Sequence, residues 1–255
     1  MEKAKKRILV VDDEINVCKS IRQAILADDY EVDTALSGEE ALTKDKANPY
    51  DLVISDLMMP GISGMDLLKS LKEERPDVYI ILVTGYPTIK TAVQSVKIGA
   101  FDYIPKPFTP NELRSLVQRA FKAQESEARE IPAAPVMPAG LFSMGGHTWL
   151  RREENNVATI GVMHKFIQSL EYVSQIELPQ ENKNIFQGEA CVRITDKDSH
   201  VHRVWSPATG KVIQVNRTLE QDLSLLRQDP YVKGWLFRIE SPNLNLDLKG
   251  LTPSE

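Results

Sequence analysis

A chain of 255 residues with 31 Lys plus Arg against 36 Asp plus Glu carries a formal net charge of −5. That is long enough for more than one buried core and the wrong balance of charge for coating nucleic acid. Its two cysteines, Cys18 and Cys191, are too few and too far apart for a disulfide framework or a zinc knuckle, and they read as apolar fillers in a reducing compartment. No stretch approaches the roughly twenty apolar residues of a spanning helix, so a cytoplasmic location and no membrane partner are expected.

In chain order, Ile8 to Val11 is a continuous apolar run of strand length that ends abruptly in Asp12-Asp13-Glu14. A helix is predicted from about Asn16 to Ala27, a strand from Tyr30 to Ala35, and a helix opened by Ser37-Gly38-Glu39-Glu40 and stopped by Asn48-Pro49. Asp51 to Leu57 is a buried strand closed by Pro60-Gly61, which delivers Asp56 to its end. Gly64 to Glu74 reads as helix, Val78 to Thr84 as strand, Thr88 to Ile98 as helix, Phe101 to Ile104 as a short fifth strand and Pro110 to about Gln124 as a fifth helix. Five strands alternating with five helices, with apolar runs too continuous for a half-exposed sheet, predict a doubly wound, five-stranded parallel sheet covered on both faces. In such sheets ligands gather at the carboxyl ends of the strands. There the pattern places Asp12 and Asp13, Asp56, Thr84 and Lys106. Converging carboxylates repel one another unless a cation neutralises them, and an all-oxygen cluster with room for water suits Mg²⁺.

Val11-Asp12-Asp13-Glu14, Ser55-Asp56-Leu57-Met58-Met59-Pro60-Gly61, Val83-Thr84-Gly85 and Phe101-Asp102-Tyr103-Ile104-Pro105-Lys106-Pro107-Phe108 resemble, in order, the motifs of the flavodoxin-like receiver domain of two-component response regulators. The resemblance implies that Asp56 accepts a phosphoryl group from a sensor histidine kinase and that the chain is a phosphoacceptor signalling protein rather than a metabolic enzyme. It further implies Mg²⁺ held by Asp13 and Asp56 directly, by Asp12 through water and by the backbone carbonyl of Met58. Lys106 would pair with the phosphoryl oxygens and Thr84 would hydrogen-bond one of them. Tyr103 would fill the space that Thr84 vacates, Met58 would affect access of hydrolytic water, and Gly85 would leave the phosphate reachable. The Lys106-Pro107 bond resembles the cis peptide of that family, and a homodimer is left open.

Past Ala123 the texture changes. Residues 1–123 are assigned to the receiver, 124–142 to a charged and then Pro/Ala-rich linker, and 143–255 to a second domain. In the latter, Thr148 to Arg151 and Val157 to Gly161 predict a hairpin, Val162 to Leu170 a short helix, and Tyr172 to Leu178 and Glu189 to Thr195 strands. His200 to Trp205, Lys211 to Asn216 and Gly234 to Glu240 read as further strands, with Leu219 to Arg227 helical. Many short strands separated by Gly and Pro turns predict a small β sandwich or flattened barrel. From Ser143 to Glu255 there are 13 Lys plus Arg and 14 Asp plus Glu, without a basic stripe or a two-helix recognition unit, so no nucleic-acid partner is expected.

His147-Thr148-Trp149, Thr159-Ile160-Gly161-Val162, Val173 to Pro179, Ser206-Pro207-Ala208-Thr209-Gly210-Lys211-Val212, and Asp229-Pro230-Tyr231 with Gly234-Trp235-Leu236-Phe237 resemble the glycine cleavage system H protein, a lipoyl carrier. In that family a lysine at a hairpin tip is lipoylated, and the candidate here is Lys197. The match departs from the family twice: the family's lysine precedes the turn proline by eight residues, which falls on Ser199, and its glutamate three positions before the lysine is here Ile194. Trp149, Trp205 and Trp235 are expected to be core anchors. His200 and His202 read as a surface pair rather than a metal site. The leading expectation is a response regulator whose second domain binds an unknown protein partner. A lipoyl carrier on Lys197 gated by the receiver is the alternative in which lipoate would be a cofactor, and a transcription regulator is disfavoured.

Overall fold

The computed structural model describes residues 5–26, 29–128, 135–170 and 172–254, which divide into two compact units at Ala120/Phe121. In the first unit the strands are β1 (Lys6–Val11), β2 (Tyr30–Ala35), β3 (Leu52–Asp56), β4 (Tyr79–Thr84) and β5 (Asp102–Pro105). They form one parallel sheet in the order β2-β1-β3-β4-β5. β3 is buried along its whole length, as a central strand covered on both faces requires. The order reverses direction between β1 and β3, and that switch point opens a crevice at their carboxyl ends.

The helices α1 (Ile15–Ile25), α2 (Gly38–Ala47), α3 (Gly64–Glu74), α4 (Ile89–Ile98) and α5 (Pro110–Ala128) alternate with the strands. Each start has a local cause where a cap is present. The Ser37 hydroxyl accepts from the Glu40 N–H, Ser63 accepts from Asp66, and Thr88 and Thr91 form a reciprocal capping box. Gly99, at φ +105°, ends α4 in the left-handed conformation. The expected end of α1 at Ala27 lies outside the described residues. α5 runs through the first part of the expected linker, to Ala128. Arg119 on α5 pairs with Asp102 on β5, both buried.

The second unit contains β6 (Leu141–Met144), β7 (Thr148–Arg152), β8 (Val157–Val162), β9 (Val173–Glu177), β10 (Asn184–Ile185), β11 (Ala190–Asp196), β12 (Val201–Trp205), β13 (Gly210–Val215), β14 (Trp235–Glu240) and β15 (Thr252–Pro253). Seven of them form an antiparallel sheet, β10-β13-β14-β8-β7-β6-β15, and three form a second, β12-β11-β9. The β7–β8 hairpin turns on Asn155 and Asn156 at φ +55° and +59°, the left-handed pair that a tight hairpin needs and asparagine tolerates. Short helices α6 (His164–Ser169), α7 (Leu225–Gln228) and α8 (Leu244–Leu248) complete the unit.

Two sequence expectations are corrected here. The single helix over Leu219 to Arg227 is instead a 3₁₀ turn, Arg217–Glu220, and the short α7. Asn216 caps the first piece and the Asp222 carboxylate takes both the backbone N–H and the hydroxyl of Ser224, so side chains compete with the helix between the pieces. The helix expected over Val162 to Leu170 is shorter at both ends, because Val162 still pairs with Thr148 in the sheet.

Trp149 is fully buried and packs with Leu141 and Tyr231, its ring 6.0 Å from that of Tyr231. Trp205 is also buried, whereas Trp235 packs against this cluster while half-buried. Opposite Trp149, a Cβ on Gly161 would lie 2.3 Å from indole carbons. Gly161→Ala is therefore expected to cost about 3 kcal/mol, read as a fall in the urea midpoint followed by tryptophan fluorescence. Asp247 on α8 is buried, and its carboxylate accepts the Thr209 N–H at 2.8 Å. Burial raises its pKa above the ordinary carboxyl value and the Thr209 bond only partly offsets this. A raised folded-state pKa makes the charged group unfavourable as pH rises through it. Asp247→Asn, which keeps an acceptor for Thr209, is expected to stabilise the domain by about 1 kcal/mol at neutral pH. Urea titrations should show this gain vanishing at pH values below the unfolded carboxyl pKa.

Candidate functional site

The parallel register carries four strand ends to one edge. Val11 lies beside Ser55, Asp56 beside Val83, and Thr84 beside Pro105. Asp12 therefore emerges immediately after β1, Asp56 closes β3, Thr84 closes β4 and Lys106 follows β5. Asp12 and Asp56 are 1% and 7% exposed, and the Lys106 ammonium lies between them, 2.8 Å from Asp12 Oδ2 and 2.6 Å from Asp56 Oδ1. Each carboxylate keeps its second oxygen fixed by backbone. Asp12 Oδ1 accepts from Glu14 at 3.0 Å, and Asp56 Oδ2 accepts from Met58 at 2.6 Å.

Burial alone would lower the Lys106 pKa, but the hydrogen bonds and charges of Asp12 and Asp56 outweigh it and raise it. The amine thus stays charged throughout the physiological range. The Lys106-Pro107 peptide is cis. Asp13 stands exposed next to Asp12, and Met58 is 62% exposed.

Thr84 is buried and its hydroxyl oxygen accepts the Tyr86 N–H at 3.1 Å. Tyr103 is 2% exposed and its phenol oxygen lies 3.0 Å from Thr91 Oγ1, where α4 begins. The side chain expected to move into the sheet edge is thus already packed inward, bridging β5 to α4. A Cβ on Gly85 would meet no atom within 4 Å, so the space around this residue is open whether or not it bears a methyl group.

Asp12 and Asp56 share one ammonium, which leaves one negative charge at the sheet edge, and the exposed Asp13 follows Asp12 in the chain with a second. A divalent cation is the group that balances them, and an all-oxygen donor set suits a hard ion. The residues fit Mg²⁺ on charge and donor chemistry.

The second unit has its own chemical feature at the hairpin between β11 and β12. Lys197 is at its exposed tip, its N–H donating to the Tyr172 carbonyl at 3.2 Å. The loop closes from Asp196 to His200 by backbone hydrogen bonds, with Ser199 at φ +63°, the left-handed position of a short hairpin loop. The expectation that His200 and His202 are a surface pair is overturned. His202 is 2% exposed on its side chain, and both imidazoles meet Asp196 Oδ2, at 2.9 Å from His202 Nε2 and 3.3 Å from His200 Nδ1. Asp196 Oδ1 accepts the backbone N–H groups of Asp198 and His200, each at 2.9 Å. Burial would raise the Asp196 pKa, but the His202 ring, the His200 N–H and both imidazole charges outweigh it and hold it below the usual carboxylate value. The signal that could have revealed this cluster is hairpin register: Asp196 stands opposite His200, and His202 opposite Ile194 two residues before Asp196, so Asp196, His200 and His202 share one face.

A five-stranded parallel sheet with two buried acids and a lysine at its switch point, followed by an antiparallel β unit, defines a two-domain α/β plus β architecture. Residues 8–118 match the response regulator receiver domain and residues 142–255 the glycine cleavage H-protein. The chain thus joins a response regulator receiver domain to a glycine cleavage H-protein domain.

Among relatives, the transcriptional regulatory protein ZraR of Salmonella typhimurium is 31% identical over 142 residues, 56% of this chain and 32% of its own length. The probable transcriptional regulator ycf27 of Cyanophora paradoxa is 37% identical over 126 residues, 49% of this chain and 52% of its own. The chain thus spans about a third to a half of the length of these relatives. The crystal structure of a response regulator receiver domain protein from Clostridium thermocellum is 35% identical, with a TM-score of 0.45, and covers 48% of this chain and 98% of its own. Among the described residues no helix is long and apolar enough to cross a membrane.

Proposed function

We propose that the chain is a response regulator of a two-component phosphorelay, in which Asp56 accepts a phosphoryl group and thereby changes what the H-protein domain contacts. The observation that carries this reading is the Lys106 ammonium held within 2.8 Å of both buried carboxylates. In the proposed step an Asp56 carboxylate oxygen attacks the phosphorus of a phosphohistidine on a sensor kinase. The P–N bond breaks and the imidazole nitrogen leaves. The Met58 N–H fixes Asp56 Oδ2, which orients the attacking carboxylate, and Lys106 moves its hydrogen bond from Asp56 to an equatorial phosphoryl oxygen. Asp12 and Asp13, with Asp56 and the Met58 carbonyl, would hold Mg²⁺, which supplies charge neutralisation to the transferring group. Thr84, at the end of the neighbouring strand, is the hydroxyl placed to bond a second phosphoryl oxygen.

Phosphorylation adds about 1.5 to 2 negative charges and three acceptors, so the sheet edge must rearrange around Thr84 and, through β5, around Tyr103 and Thr91. The output is protein binding without substrate turnover. The second domain has near-balanced charge, which disfavours DNA as its partner, and the chain works in the cytoplasm. The test is a pull-down from cell extract with wild type and Asp56→Asn, each with and without acetyl phosphate and Mg²⁺. A partner captured only by phosphorylated wild type is the expected result; identical captures under all four conditions would refute it.

The exposed hairpin position of Lys197 supports a second reading, a lipoyl carrier gated by the receiver. Intact mass after co-expression with a lipoate ligase separates the two, since an unmodified chain removes the carrier.

A further inference from the structure

The β11–β12 hairpin brings together side chains that the receiver chemistry does not use. One ligand atom from each of Asp196, Asp198 and His200 lies within 4.8 Å of the other two, and among the described residues this is the one trio of His, Cys, Asp or Glu that closes so tightly. The trio combines an imidazole with two carboxylates, and its central member is held in place. Asp196 Oδ1 is fixed by two backbone N–H groups, which leaves Oδ2 facing the imidazoles.

In a tetrahedral zinc site with bonds of about 2.0 to 2.1 Å, neighbouring ligand atoms are about 3.3 to 3.4 Å apart. His200 Nδ1 and Asp196 Oδ2 are 3.3 Å apart, a spacing that fits a shared cation as well as a shared proton. Behind them the buried His202 reaches Asp196 Oδ2 from Nε2 at 2.9 Å. A donor in that position orients a ligating carboxylate.

From this geometry we propose that the hairpin tip is a binding site for a divalent transition cation of the zinc class, ligated by Asp196 Oδ2, the Asp198 carboxylate and His200 Nδ1. The fourth position is open to water. Two carboxylates and a neutral imidazole balance the charge of the ion, and the imidazole selects against Mg²⁺, which prefers an octahedral shell of oxygens. Lys197 sits between two of the ligands. A loaded tip therefore sets a ligand on each side of the lysine, in the hairpin proposed above as the alternative lipoyl-bearing tip.

The experiment is calorimetric titration of the full chain with zinc in buffer containing saturating Mg²⁺, so that the acids of the receiver are occupied by the harder ion. Wild type, Asp198→Asn, His200→Gln and Asp56→Asn are compared, and Co²⁺ replaces zinc in a parallel series read by visible absorbance. Expected are one zinc per chain, an affinity weakened about tenfold to a hundredfold or more in both tip variants, and no change in Asp56→Asn. The cobalt spectrum should be lost with His200→Gln. Asp198 is exposed, so its variant is not compromised by folding. No saturable zinc binding by wild type, or tip variants that bind zinc as tightly as wild type, would overturn the proposal.

Discussion

Gly64→Ala is expected to destabilise the receiver half strongly while leaving the stability of the second half unchanged. Gly64 opens α3 with its N–H on the Leu57 carbonyl at 3.0 Å, and this hydrogen bond pulls the helix start onto the loop that follows β3. A Cβ built there lies 2.0 Å from the Asp56 carbonyl oxygen and 2.9 Å from the Leu57 Cα. Both obstacles are backbone, so no side chain can swing away; either α3 must back off or the end of β3 must bend. The cost is about 3 kcal/mol or more, a large part of the stability of a small domain. Trp149, Trp205 and Trp235, the only tryptophans in the chain, all lie in the second half. Far-UV circular dichroism in urea should therefore show an early transition that tryptophan fluorescence does not follow. The control is Gly85→Ala, where the added methyl meets no atom within 4 Å and the expected change is within about 0.5 kcal/mol. Equal midpoints for the two variants would mean that α3 does not press on the acceptor strand.

Lys106→Met is the second large effect. The ammonium is the counter-charge shown for Asp12 and Asp56, which are nearly inaccessible to water. Removing it leaves two buried carboxylates facing each other, a change that commonly costs about 3 to 5 kcal/mol in a dry site. Lys106 is itself 26% exposed on its side chain, and solvent screening reduces the expectation to about 2 kcal/mol. Millimolar Mg²⁺ should recover part of this loss, because the cation supplies the missing charge. Transfer from acetyl phosphate should slow by roughly tenfold to a hundredfold, since one of the groups that neutralise the moving phosphoryl is gone. Urea midpoints with and without Mg²⁺, paired with the rate of phosphoprotein formation, check both parts. A variant as stable as wild type in chelator would contradict the assigned charge balance.

The receiver was legible because β1, β3 and β4 are buried over most of their length and therefore appear as apolar runs that lead to Asp12, Asp56 and Thr84, while the half-exposed β2 shows only by alternation. Asp12, Asp56 and Lys106 lie far apart in sequence, yet parallel register alone carries them to one edge. The inward packing of Tyr103 was not legible, since its hydrogen bond to Thr91 depends on where α4 starts relative to β5. In the second unit the longer strands could be read from alternation. β6, β10 and β15, of two to four residues each, could not, because so short a strand carries no period. The Asp196 cluster was missed for another reason: the carboxylate that organises His200 and His202 lies on the preceding strand, across the turn, and a search within the histidines' own strand passes over it.

Acetyl phosphate with Mg²⁺, followed by intact mass and peptide mapping, tests the phosphoacceptor most directly. Wild type should gain the mass of one phosphoryl group, located on residue 56, labile to hydroxylamine and absent when Mg²⁺ is chelated. Asp56→Asn should gain nothing. A wild type that stays unmodified, or an Asp56→Asn chain labelled to the same extent, would contradict the assignment of this sheet edge as a phosphoryl site.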